Sequence, residues 1–92
     1  MSCSVIYSKY RYIEKVAALR SISKAAQELY ISQPALTRII SNLEKELGVM
    51  LFNRSVIPLQ LTYAGERFLE ESRRILDIDE ALRKELQEIS ET

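Results

Sequence analysis

Gln33, Pro34, Thr37, Arg38, Ser41, Asn42 and Lys45 recur at intervals that an α-helix would turn away from its apolar side. Several of these side chains suit the base edges of double-helical DNA. The Arg38 guanidinium can fork onto guanine O6 and N7, and the Gln33 or Asn42 amide can make two hydrogen bonds to adenine. Pro34 and the Thr37 methyl fit against a thymine methyl, and a hydroxyl such as that of Ser41 can bond either kind of edge. No long acidic side chain stands three or four residues from Arg38, so a local ion pair does not account for it. Lys45 reads as an ordinary solvated cation. Ser21, Ser23 and Ser32 fall near the starts of helices, where hydroxyls and free N–H groups suit phosphate oxygens.

Side chains that read bases must be held at a fixed angle, and the surrounding sequence supplies the holder. Apolar residues Leu36, Ile39, Ile40, Leu43 and Leu47 define the opposite face of a helix over 33–47, which begins at the cap Ser32 and stops at Gly48. Pro34 fits its first turn, where a missing N–H has no partner to lose. A shorter helix over 24–30 precedes it, capped by Ser23, with Ala25, Ala26 and Leu29 inward. Tyr30, Ile31 and Ser32 make the tight turn between the two, the pattern of a helix-turn-helix. Before it, Tyr12, Ile13, Val16, Ala17 and Leu19 mark one face of a helix over about 8–19, and residues 1–7 read as a frayed lead-in.

After Gly48 the pattern changes to period two. Residues 49–61, with Pro58 at the edge, read as two strands of three or four residues around a loop that holds Asn53, Arg54 and Ser55. Thr62 then caps a last helix running to about residue 90, with Gly65 a weak spot in its first turn. Along it Phe68, Ser72, Ile75, Asp79, Leu82, Leu86 and Ile89 alternate by four and three, a heptad seam. The first half of that helix is expected to fold back on its own domain. The second half has nothing left in these residues to cover it, which points to pairing with a second copy through Phe68, Ile75, Leu82, Leu86 and Ile89.

Composition narrows the function classes. The net charge of the 92 residues is zero, yet residues 1–67 carry nine bases against five acids and residues 68–92 four against eight. A basic end on an acidic stalk can still meet phosphates with one end. Histidine is absent, Cys3 is the lone cysteine, and neither metal-ligand spacing nor a glycine-rich phosphate loop occurs. An enzyme, a metal and a cofactor are therefore not expected. No apolar run is long enough for a membrane span, no signal-peptide pattern is present, and a single cysteine forms no internal disulfide, which together point to the cytoplasm.

The blocks Arg20-Ser21-Ile22-Ser23-Lys24-Ala25-Ala26, Leu29, and Ile31-Ser32-Gln33-Pro34-Ala35-Leu36-Thr37-Arg38 resemble the N-terminal signature of LysR-type bacterial transcription regulators. So do Leu43-Glu44-Lys45-Glu46-Leu47-Gly48, Leu51-Phe52-Asn53-Arg54 and Leu61-Thr62-Tyr63-Ala64-Gly65, without gaps over about 9–76. The resemblance implies a mostly α fold: a winged helix-turn-helix head of three helices and a two-stranded wing over 1–61, then a long dimerising linker helix over 62–92. It implies that Gln33, Pro34, Thr37 and Arg38 meet bases in the major groove and that Arg54 meets the DNA backbone at the wing. It also implies a homodimer on an interrupted palindrome. A small-molecule effector would act only through the family's C-terminal domain, which these residues do not include, so the sequence reads as a truncated chain. Two departures stand out. Many members have glycine at the position of Arg20 and phenylalanine at that of Ile22. The wing often carries arginines at the positions of Ile57 and Gln60, and their loss implies weaker nonspecific binding. The rival expectation is a helical adaptor that binds only protein, which would use the seam and leave the Ser32–Arg38 face unexplained.

Overall fold

The computed structural model describes the backbone of residues 2–91 and the side chains of residues 7–91. Among the described residues, four helices and one hairpin follow in the order α1 (Ser2–Leu19), α2 (Ile22–Leu29), α3 (Gln33–Leu47), β1 (Phe52–Asn53), β2 (Gln60–Leu61) and α4 (Tyr63–Glu91). The helix expected over 8–19 begins six residues earlier, at Ser2, in place of a frayed lead-in. Residues 2–7 contain neither glycine nor proline, so nothing in them stops the helix. The side chain of Cys3 lies outside the described residues.

The helix ends are set by the expected chemistry, with one shift. Ser32 caps α3 through its hydroxyl oxygen, which accepts from the Ala35 N–H at 3.2 Å, and Gly48 ends it with φ 75°. At α2 the cap is Ser21, not Ser23: its oxygen accepts from the Lys24 N–H at 3.1 Å, and the helix starts two residues earlier than expected. Both serines have cap chemistry. Ser21 wins because Ile22, half-buried against the core, belongs to the first turn.

The core lies where α1, α2 and α3 meet: Ile13 and Val16 face Ala25, Ala26 and Leu29, with Leu36, Ile40 and Leu43 closing the third side. Small alanines let α2 sit close to its neighbours. Leu51 and Phe52, both fully buried, carry the chain from α3 into the wing, so the hairpin is anchored by its first strand. The hairpin is antiparallel, Phe52 opposite Leu61 and Asn53 opposite Gln60, and each strand has two residues, shorter than expected. The first turns of α4 cover the core with Ala64, Phe68 and Leu69.

Thr62 joins the wing to α4. Its Oγ1 donates to the Met50 carbonyl at 2.6 Å and accepts from the Gly65 N–H at 3.0 Å, while its own N–H donates to the Leu51 carbonyl at 2.9 Å. That joint brings α4 so close that Gly65, expected to be a weak spot, is a requirement. A β-carbon there would collide with the Leu51 carbonyl oxygen and lie 2.6 Å from a methyl of Leu61. Alanine gains about 1 kcal/mol of helix propensity over glycine, whereas forced overpacking costs about 1–3 kcal/mol. Gly65→Ala is therefore expected to destabilise the fold and lower Tm. A Tm equal to or above that of the parent chain in a thermal melt would show that the close approach is not limiting.

Candidate nucleic-acid interface

The inward face of α3 is fixed by Leu36, Ile40 and Leu43, so its other face must look outward. Gln33, Pro34, Thr37 and Arg38 line one open concavity of about 410 Å³ on that face. Gln33, Pro34 and Arg38 are exposed and Thr37 is half-buried. Arg38 makes no ion pair among the described residues, so its guanidinium is available to a ligand. The site thus offers an amide, a cation and two apolar surfaces within about two helical turns.

The other expected base readers do not share this concavity. Ser41 lines a second cleft with Lys45, Met50 and Arg54, between the end of α3 and the start of the wing. Asn42 is exposed one turn beyond Arg38, on the outward side but outside the concavity. The serines divide similarly. Ser21 and Ser32 accept cap hydrogen bonds and keep their hydroxyl protons to donate elsewhere. Ser23 is exposed in the first turn of α2 without a capping role.

Arg54 has a partner that the sequence reading missed. Its Nη2 donates to Glu44 Oε1 at 3.0 Å, and Glu44 is only 5% exposed. The other carboxylate oxygen accepts from the N–H groups of Leu51 and Phe52, at 2.8 and 3.3 Å. A carboxylate buried this deeply is stable only because its lone pairs are so filled. The signal was present in the spacing: Leu36, Ile40 and Glu44 fall four apart, which puts Glu44 on the apolar face rather than the solvated one. Arg54 retains further N–H donors, and its side chain is one-third exposed at the wing's base.

The seam residues on α4 behave as two groups. Phe68 is half-buried against the chain's own core, and Ser72 is buried beneath α1. Ile75, Leu82 and Leu86 are 47%, 50% and 55% exposed, and Ile89 is exposed as well. Asp79, in the middle of the seam, is half-buried and makes an ion pair with Arg83 at 2.9 Å.

The sequence matches the model of the lysR family of bacterial regulatory helix-turn-helix proteins over residues 7–66. The chain belongs to this family. Similar relatives are the HTH-type transcriptional regulators ClcR of Pseudomonas putida, 46% identical over 77 residues, and TfdS of Cupriavidus pinatubonensis, 46% identical over 72. These alignments cover 84% and 78% of this LysR-family chain but only 26% and 24% of the relatives, so it spans about a quarter of their length. Such relatives are regulators, not enzymes. Among solved structures, the CbnR_DBD–DNA complex aligns with TM-score 0.79 and 36% identity over 91% of this chain and 97% of that one. The BenM_DBD/benA site 1 DNA complex aligns with TM-score 0.77 and 34% identity, covering 90% and 93%. The winged helix-turn-helix read from the sequence is the fold of these family members. Among the described residues no helix is long and apolar enough to cross a membrane.

The buried carboxylate generates a stability prediction. Glu44→Ala strands two N–H groups and the Arg54 guanidinium, a loss of about 2–4 kcal/mol. Arg54→Ala leaves the carboxylate its two N–H donors and is expected to cost less, about 1–2 kcal/mol. Urea unfolding of both variants checks the order, and equal small losses would show that Glu44 does not hold the wing to α3.

Proposed function

We propose that this LysR-family chain is the sequence-specific DNA-binding part of a transcription regulator. The observation that carries the reading is the concavity of Gln33, Pro34, Thr37 and Arg38 on the outward face of a helix whose inward face is core. The likeness to family members solved with DNA supports it. Residues 1–61 act as the head and 62–92 as the linker helix, with α3 entering the major groove. Gln33 and Arg38 bond base edges, and Pro34 and Thr37 sense thymine methyls. Arg54 meets the backbone beside the wing, with Ser21, Ser23 and Ser32 donating to phosphates. Ser41 and Asn42, outside the concavity, contribute at its margin. The working place is the cytoplasm, the compartment that holds DNA in a bacterial cell. A small-molecule effector, where the whole regulator uses one, engages a part of it outside these residues.

Two copies join through α4. Ile75, Leu82 and Leu86 form the exposed stripe, extended by Ile89, with Phe68 at its inner end where it turns into the core. The ion pair with Arg83 offsets part of the cost of placing the Asp79 charge between helices. A two-fold pair presents the same α3 face in opposite directions, so the site is an interrupted inverted repeat. A protein-only adaptor is not favoured, because it leaves the α3 concavity without a use.

Arg38→Ala is expected to relax base preference, since one bidentate pairing is worth about 1–3 kcal/mol of discrimination. Arg54→Ala should weaken binding to all sequences alike and reduce its salt dependence. Titration of selected and scrambled duplexes distinguishes the two, and an equal loss on both duplexes for Arg38→Ala would remove its reading role. Sedimentation should give a dimer at micromolar concentration, and changing the spacer of a selected site by ~5 base pairs should sharply reduce affinity. A monomer, or indifference to the spacer, would remove the paired mode.

A further inference from the structure

Arg20 and Tyr30 are the two non-glycine residues with a left-handed backbone among the described residues, at φ 53° and 60°. They bracket α2. The Arg20 N–H ends α1 by donating to the Val16 carbonyl at 2.8 Å, and the Tyr30 N–H caps α2 on the carbonyls of Ala26 and Gln27. Glycine adopts this conformation without penalty, whereas a side chain crowds the neighbouring carbonyl. A bulky residue in such a place is ordinarily compensated by burial or by a bond. Neither side chain has one: Tyr30 is 93% exposed, Arg20 is exposed, and among the described residues neither makes a side-chain hydrogen bond or ion pair. Arg20 lines a shallow cleft with Gln60 and Glu66, where the α1–α2 turn meets β2, yet no ion pair joins it to Glu66.

The place of these two residues suggests their use. In a helix-turn-helix the first helix crosses the DNA backbone while the second enters the major groove. The eight residues of α2 span about 12 Å, so its ends stand on either side of the strand it crosses. We propose that Arg20 and Tyr30 grip the sugar-phosphate backbone from the two ends of α2. The Arg20 guanidinium takes one phosphate, and the Tyr30 hydroxyl donates to another. Both bonds are charge-assisted, and a guanidinium matches phosphate geometry. They position the head without carrying sequence information. The proposal rests on the DNA-binding reading above, and it means that two sites favourable for glycine are given to side chains whose partner is outside the fold.

The test compares the parent chain with Arg20→Gly, Tyr30→Gly and Tyr30→Phe, by thermal melting and by titration of a selected and a scrambled duplex across a salt series. Both glycine variants are expected to melt at or above the parent temperature. They should bind both duplexes roughly 5- to 20-fold more weakly. Arg20→Gly should also reduce the salt slope by about 0.9, the effect of one lost phosphate contact. Tyr30→Phe should lose most of what Tyr30→Gly loses and keep its Tm. Unchanged affinity in the glycine variants overturns the proposal, as does a fall in their Tm, which would assign the side chains to folding instead. Failure of the parent chain to bind any duplex would instead overturn the DNA-binding reading, and the proposal with it.

Discussion

Much of this fold turns on one buried carboxylate. Glu44 lies three-quarters of the way along α3, on the face that otherwise holds leucine and isoleucine, and its two oxygens reach the first residues of the wing and Arg54. An unpaired carboxylate at that depth would be untenable, so the backbone at Leu51 and Phe52 has to present its N–H groups there. This dictates where the chain goes after Gly48. It also places Leu51 and Phe52 in the core, sets the Leu51 carbonyl against Thr62, and thereby fixes where α4 starts. The outward side of α3 and the wing are therefore tied together from inside.

Charge is arranged by the same logic of paired and unpaired groups. Along α4 most bases are answered within a turn: Arg67 by Glu70 and Glu71, Arg73 by Asp77, Arg83 by Asp79 and Lys84 by Glu80. The hydrogen bonds that the Arg67 guanidinium donates to Glu70 and Glu71 hold it above its ordinary pKa. Such exposed pairs contribute little stability, but they leave the stalk without cations to offer. Arg11, Arg20, Lys24, Arg38 and Lys45 make no ion pair among the described residues, and all of them belong to α1, α2, α3 or the turns between. A chain of zero net charge is thus basic at one end and self-neutralised at the other.

What could be read from the sequence follows from the range of the interactions involved. The bounds of α3 were legible because a cap serine, an early proline and a terminal glycine act locally. The outward set Gln33, Pro34, Thr37 and Arg38 was legible from period alone. Ser21 and Ser23 were not separable, since both have cap chemistry and the choice is made by the packing of Ile22. The roles of Gly65 and Glu44 were hidden for the same reason: a close approach to Leu51 and a bond to Arg54 are properties of the tertiary arrangement.

The unbroken course of α4 has a consequence for assembly. From Tyr63 to Glu91 it is one continuous helix, and its first turns pack on α1 and the wing. The azimuth of the exposed stripe is then phased to the head by residue count. Inserting a single residue between Ser72 and Ile75 would swing the stripe by roughly 100° and advance it by about 1.5 Å. The relation between the stripe and the α3 face is therefore that of a keyed shaft rather than a tether, and length variation in this helix is discrete, allowed only in steps that restore the phase.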